Sequence, residues 1–295
     1  MSDLGALLTA IVTPFADPPE TGVVKPAVDE EAFVALHKLV IERGSDGIVA
    51  CGTTGEASTL DDDEHLRVIE LAVQNKPHGT TVIAGAGSND TAHAVHLTER
   101  ATELGADAIL SVTPYYNRPN RRGLIRHYEE VARATDKPIL LYNIPNRSGV
   151  DIPNDLLAEL AQIDGISGVK QANNDNLAMV DGLELFAGND DVFARTLDIG
   201  GAGVISTASH VAGPMMRRMI DDPSSRAELD KELQPLYAAL SVAPACIAVK
   251  TALQLQGVLT SASVRLPMVE ADDYERGVIQ AGLEKLGLLE AGVRA

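Results

Sequence analysis

Cysteine is scarce: the 295 residues contain only Cys51 and Cys246, far apart and without metal-ligand spacing. That gives no basis for a disulfide framework and suits a reducing compartment. No run rich in Lys and Arg offsets a formal charge of -18, so a nucleic-acid partner is not expected. A few local cations are still enough to bind a small anionic substrate. No stretch approaches the roughly 20 apolar residues needed to span a membrane. The start, Met1-Ser2-Asp3-Leu4, lacks the basic and apolar regions of a signal peptide, so a cytoplasmic protein is expected. His and carboxylate residues do not cluster, and no catalytic metal is expected. Gly85-Ala86-Gly87 lacks both the third glycine and the distant acid of a dinucleotide fingerprint. What the chain does have is 45% hydrophobic and 22% charged residues, enough for a sizeable core.

Short apolar runs recur through the first two-thirds: Leu7–Val12, Gly47–Cys51, Val82–Gly85, Ala108–Val112, Ile139–Tyr142, Ile166–Lys170, Leu183–Ala187 and Gly203–Ser206. Each is too short for a helix and mostly lacks the alternation of a half-exposed strand, so buried parallel strands fit them. Helical patterns lie between. Asp29–Arg43 opens on acids and stops before Gly44, Asp61–Asn75 sets Leu66, Ile69 and Val73 at helical spacing, and Asp90–Leu104 ends at Gly105. This predicts an α/β fold, a (β/α)₈ TIM barrel over residues 1–222. Ser225–Leu240, Ala245–Gln256 and Val269–Leu286 predict a three-helix C-terminal module, 223–295, packed on the barrel without a flexible linker. The alternative, a doubly wound sheet, accounts less well for eight units with polar strand ends.

In such barrels the working residues sit at the C-terminal ends of the strands. Lys170 closes the sixth apolar run. Burial disfavours the charged form of an amine and leaves it nucleophilic near neutral pH. Lysines are rarely buried without a partner or a task. Two other strand ends offer groups that would serve an amine. The turn Gly52-Thr53-Thr54-Gly55 supplies N–H groups and hydroxyls suited to a carboxylate. Tyr142 would shuttle protons if linked to Thr53, and Arg147 would clamp a carboxylate. Each also has an ordinary explanation: an ion-paired structural lysine, a plain tight turn, a packing tyrosine, a surface arginine. Tyr115-Tyr116 equally fits a subunit contact. His37, His65, His93, His96 and His127 fall on predicted helices and are expected at the surface or an interface. His210, after the eighth strand, is expected to be structural.

Taken in order, several segments resemble the dihydrodipicolinate synthase / N-acetylneuraminate lyase superfamily from about Gly5 to Leu288. They are Thr9-Ala-Ile-Val-Thr-Pro-Phe15, Cys51-Gly-Thr-Thr-Gly-Glu56, Val112-Thr-Pro-Tyr-Tyr-Asn117, Tyr142-Asn-Ile-Pro-Asn-Arg147-Ser-Gly149, Gly168-Val-Lys170 and Gly201-Ala-Gly-Val-Ile-Ser206. Val249-Lys250 and Val264-Arg-Leu-Pro267 continue the pattern. Thr53-Thr54, where sialic acid lyases typically carry Ser-Thr, and Arg147 bring the chain nearest the synthase branch. Its members condense pyruvate with L-aspartate 4-semialdehyde to give 4-hydroxy-tetrahydrodipicolinate at the entry to lysine biosynthesis.

The resemblance implies an aldolase that needs no cofactor beyond a covalent lysine imine with pyruvate. It makes Lys170 the imine-forming lysine and Tyr142 the proton relay, linked to Thr53 and to Tyr116 from a neighbouring subunit. Thr54 would hold the pyruvate carboxylate, the Ile205 carbonyl would accept a hydrogen bond, Arg147 would hold the aldehyde's carboxylate, and Gly188 would lie beside the substrate. A homo-oligomer, a dimer of dimers, is also implied. Gln171-Ala172-Asn173 and Gly188-Asn189-Asp190 depart from the more usual sequences, which leaves a sister pyruvate aldolase as the alternative (N-acetylneuraminate lyase or a 2-keto-3-deoxy sugar acid aldolase). A ligand-binding barrel without catalysis would leave Lys170 and Tyr142 unexplained. A phosphate-binding barrel would need a glycine loop after strands seven and eight, and Gly200-Gly201-Ala202-Gly203 precedes the eighth strand. Among the residues that bind lysine in feedback-sensitive members, His65, Asn89 and Tyr115 match. His93 replaces an acid, and Asp62 and Ala57 also differ, so weak or absent inhibition by lysine is expected.

Overall fold

The apolar runs form eight parallel strands: β1 Leu7–Ala10, β2 Gly47–Ala50, β3 Thr81–Gly85, β4 Ala108–Val112, β5 Ile139–Asn143, β6 Ile166–Gln171, β7 Glu184–Ala187 and β8 Gly203–Ser206. They pair in chain order and close where β8 meets β1, with Leu8 opposite Ile205. This computed structural model describes residues 4–17 and 25–289. The Met1–Asp3 start and residues 290–295 of the C-terminal module lie outside the described residues.

Alternation along the strands makes two cores. Leu8, Val49, Ile83, Leu110, Leu140, Phe186 and Ile205 fill the barrel interior. Their neighbours Leu7, Ile48, Val82, Ile109, Leu141, Val169, Leu185 and Val204 face the helices. In the β5–β6 register Leu140 pairs with Gly168 and Tyr142 with Lys170. Tyr142 shares the inward parity of Leu140, so Lys170 also points into the barrel, at the C-terminal end of its strand.

The outer layer is α1 Glu30–Glu42, α2 Asp62–Gln74, α3 Thr91–Leu104, α4 Arg121–Arg133, α5 Pro145–Ser148, α6 Asn154–Leu160, α7 Phe193–Asp198 and α8 Ser209–Asp221, followed by α9 Arg226–Leu240, α10 Ala245–Leu255 and α11 Asp273–Lys285. Asp29 and Asp90 cap α1 and α3, and Asp61 caps α2 through a capping box with Glu64. No single helix among the described residues is long and apolar enough to cross a membrane, and α9 and α10 meet at 108°.

Three expectations are corrected. Between β6 and β7 there is no α-helix among the described residues, only a 3₁₀ turn at Asn174–Asn176. Side chains there compete with the helical backbone: Asn173 Oδ1 accepts the Asp175 N–H, and Asn176 donates to Asp151. The last helix begins at Asp273 rather than Val269, because Asp272 and Glu275 form a capping box that fixes the start. His37, His65 and His127 are buried rather than superficial, since they lie on the inward faces of α1, α2 and α4 beside Leu36, Val68 and Leu124. His210 is structural, donating from Nδ1 to the Thr207 carbonyl (2.8 Å) and accepting the Val12 N–H on Nε2 (3.2 Å).

Burial pushes His37, His127 and His210 down to about 4. Each is therefore neutral in the fold and ordinary (6.5) once unfolded. Their stabilisation is complete above pH 6.5 and is lost as pH falls toward 4, by roughly 1 kcal/mol per histidine at pH 5.5. The melting temperature should fall between pH 7.5 and 5.5, above the range where carboxylates titrate. His37→Leu should lessen that fall in a pH series of melting curves, because neither His37 ring nitrogen has a hydrogen-bond partner among the described residues.

Candidate active site

The β2 strand ends in a turn whose backbone is bent by left-handed residues at both sides, Cys51 and Glu56, each with φ 55°. Thr13 Oγ1 donates to the Gly55 carbonyl (2.7 Å), and the Glu56 N–H donates to the Thr53 carbonyl (3.1 Å). The Thr54 hydroxyl and the N–H groups of Thr54 and Gly55 have no hydrogen-bond partner among the described residues. Successive free N–H groups in such a turn form an anion-binding concavity. Thr54 is nearly buried, whereas Thr53 is exposed in the single chain.

Lys170 is 5% exposed. No carboxylate among the described residues lies within ion-pair distance of it. Its amine sits over the Tyr142 ring, 4.4 Å from the centroid. A structural ion pair therefore does not account for this lysine. On the opposite face of the same two strands, Asn143 donates to Gln171 Oε1 (3.0 Å) and Asp151 Oδ1 (2.9 Å) and accepts the Ile152 N–H (3.0 Å). Gln171 Oε1 also takes the Asn173 N–H (3.0 Å). This buried amide network fixes the ends of β5 and β6 together.

Pro145 opens the short α5, which carries Arg147 into the mouth of the barrel. Its guanidinium pairs with no carboxylate among the described residues. At the end of β7, the Gly188 N–H donates to the Gln171 carbonyl (2.7 Å), and a Cβ there would lie 2.8 Å from that of Ala172, so only glycine fits. Asp190 Oδ2 accepts the Thr207 N–H (3.2 Å), the Thr207 hydroxyl (2.9 Å) and the Ala208 N–H (2.9 Å). A side-chain carboxylate thus occupies the anion position at the start of α8, where phosphate-binding barrels hold their ligand.

Two adjoining cavities open at this end. The one of about 580 Å³ is lined by Thr53, Thr54, Tyr142, Arg147, Lys170 and Gly188, among others. The other, about 300 Å³, shares Thr53, Tyr142 and Arg147 and extends to Asp62, His65 and His93. There His93 donates to Asp62 (2.9 Å) and accepts from Ser88 (3.1 Å), and His65 donates to the Gly85 carbonyl (2.7 Å). The side chains of two predicted members line neither cavity in the single chain. Ile205 packs its side chain in the interior core and does not line either cavity. Tyr116 is 90% exposed, at φ 73°, and does not line them either. The predicted Tyr142–Thr53 hydrogen bond is absent among the described residues.

Sequence reasoning missed Gln234 and Tyr237, which reach the larger cavity from α9, and Asp191 and Thr207. The Tyr237 hydroxyl is buried without a hydrogen-bond partner among the described residues. Its position on an amphipathic helix gives no signal that separates it from an ordinary core aromatic.

A model of the dihydrodipicolinate synthetase family matches residues 3–286. The 4-hydroxy-tetrahydrodipicolinate synthase 2 of Halalkalibacterium halodurans is 39% identical over 296 residues, covering 96% of this chain and 99% of that one. Among solved structures, the chloride-inhibited dihydrodipicolinate synthase from Acinetobacter baumannii complexed with pyruvate superposes with a TM-score of 0.90 at 34% identity, over 97% of this chain and 100% of that one. The enzyme from Cyanidioschyzon merolae with lysine bound also gives 0.90, at 33% identity, over 98% and 100%.

Proposed function

The chain belongs to the dihydrodipicolinate synthetase family, and on that premise we propose that it condenses pyruvate with L-aspartate 4-semialdehyde to give 4-hydroxy-tetrahydrodipicolinate in lysine biosynthesis. The observation that carries this reading is Lys170, a buried amine beside a tyrosine in a cavity that also holds Arg147, both cations without an ionic partner among the described residues.

Lys170 attacks the keto carbon of pyruvate, and loss of water leaves an imine. Removal of a methyl proton gives an enamine, whose carbon attacks the aldehyde. The amino group of that product then attacks the imine carbon, closing the ring and freeing Lys170. Tyr142 carries protons through these steps, in relay with Thr53 and with Tyr116 of a second copy of the chain. The free hydroxyl and N–H of Thr54 hold the pyruvate carboxylate, and Arg147 holds that of the aldehyde. The Ile205 carbonyl accepts a hydrogen bond from the tyrosine or pyruvate side, and Gly188 leaves room beside the aldehyde. Fixed donors aimed at developing charge supply much of the acceleration. The imine itself provides the electron sink, so no external cofactor is needed. The exposure of Tyr116 supports a homo-oligomer in which that side chain enters a neighbour's site, and the assembly proposed is a dimer of dimers. A cytoplasmic location follows from the pathway. Nothing in the site favours a sister aldolase.

Lys170→Ala should abolish both product formation and trapping of pyruvate on the protein by borohydride. Turnover in that variant would overturn the imine mechanism. If the wild type traps pyruvate but does not turn over aspartate semialdehyde, the enzyme is a sister aldolase.

Arg147→Ala should raise the aldehyde KM by about 10-fold to 100-fold, the worth of a charge-assisted hydrogen bond. Half-saturation of pyruvate trapping should stay within about threefold of wild type, since that half-reaction does not need the arginine.

Lysine should inhibit weakly or not at all, because His93 stands against Asp62 where sensitive enzymes carry an acid. A titration reaching half-inhibition at submillimolar lysine would contradict this.

A further inference from the structure

Phe15, Glu56, Val249-Lys250 and Val264-Arg-Leu-Pro267 play no part in the chemistry above. The fold brings four of these side chains to one point. Lys250, fully buried on α10, donates to Glu56 Oε1 (2.6 Å) and to the Ser263 carbonyl (2.8 Å). The other Glu56 oxygen accepts the Arg265 N–H (3.1 Å). Arg265 is buried too, and its guanidinium donates to the carbonyls of Pro26 and Thr59 and to both oxygens of Glu64. Both cations lie over the Phe15 ring, Lys250 Nζ at 4.0 Å and Arg265 Cζ at 4.3 Å from its centroid.

Glu56 stands two residues after Thr54 and holds a left-handed backbone, which a residue with a Cβ keeps only when its surroundings impose it. Neither Lys250 nor Glu56 lines the cavity that contains Lys170, so neither meets substrate. We infer that Lys250, Glu56 and Arg265 are positioning residues that hold the Thr53–Thr54 turn where the pyruvate carboxylate must sit relative to Lys170. The inference rests on the reading that Thr54 binds that carboxylate.

An ion pair suits the task better than an apolar contact. Apolar surfaces tolerate sliding, whereas a buried charge separated from its partner is strongly penalised. The turn also has somewhere to go when the pair is cut. A cavity of about 110 Å³, lined by Thr53, Glu56, Arg147 and Cys246 among others, lies beside it.

The test compares Lys250→Met, Glu56→Gln and the double variant, which removes both charges and keeps the experiment readable if a single variant fails to fold. Three quantities are measured well below each melting temperature: half-saturating pyruvate for borohydride trapping, aldehyde KM at saturating pyruvate, and stability. A displaced turn should raise half-saturating pyruvate about tenfold or more. The aldehyde KM should change by a smaller factor than half-saturating pyruvate does, because Arg147 is carried by the end of β5 and meets the turn only across that small cavity. Variants that melt lower yet trap pyruvate at wild-type concentrations would reduce the cluster to a structural role and overturn the inference. A wild-type chain that traps no pyruvate at all would overturn the aldolase reading, and this inference with it.

Discussion

Parallel pairing of β5 with β6 is the constraint on which the mouth of the barrel depends. It sets Tyr142 opposite Lys170, with both side chains turned inward. Side chains alternate with a period of two, so a slip of one residue would bring Gln171 into the cavity and send Lys170 toward the helices. The amide network of Asn143, Gln171 and Asp151 lies on the outer face of the same two strand ends and opposes that slip. Polar groups buried behind the wall thus decide which polar groups appear in front of it.

The two buried lysines show how surroundings divide one residue type into two tasks. Lys250 has its carboxylate at 2.6 Å and a carbonyl besides, and its role is to hold parts together. Among the described residues, Lys170 is offered only the face of an aromatic ring. Net charge does not predict either. The chain carries -18 overall, yet its larger cavity contains an amine and a guanidinium without ionic partners among the described residues. Local arrangement rather than bulk charge makes the site hospitable to carboxylates.

Much of this was legible in the sequence. Strands buried on both faces read as unbroken apolar runs, so their number was visible and all but one of their ends to within a residue, and Lys170 stood out as a charge near the end of such a run. The Asp29, Asp61 and Asp90 caps were similarly plain. Burial on helices was not, because His37 and His127 occupy inward positions that composition does not mark. The absence of an α-helix between β6 and β7 among the described residues goes with four consecutive Asn and Asp residues, Asn173-Asn174-Asp175-Asn176, whose side chains compete for the backbone. Contacts across nearly two hundred residues, such as Glu56 with Lys250, leave no local trace at all. Tyr237 enters the cavity from a helix on the same terms.

Asp190 has a wider consequence. By placing its own carboxylate on the amides that open α8, the protein supplies from within the ligand that other barrels of this shape take from solution. An external phosphate would have to displace a tethered competitor whose effective concentration never falls. Refusal of a phosphate at this position would then be a property of the scaffold, maintained without any contact to the molecule refused. Retuning this barrel toward such substrates would begin by emptying that position rather than by reshaping the cavity around Lys170.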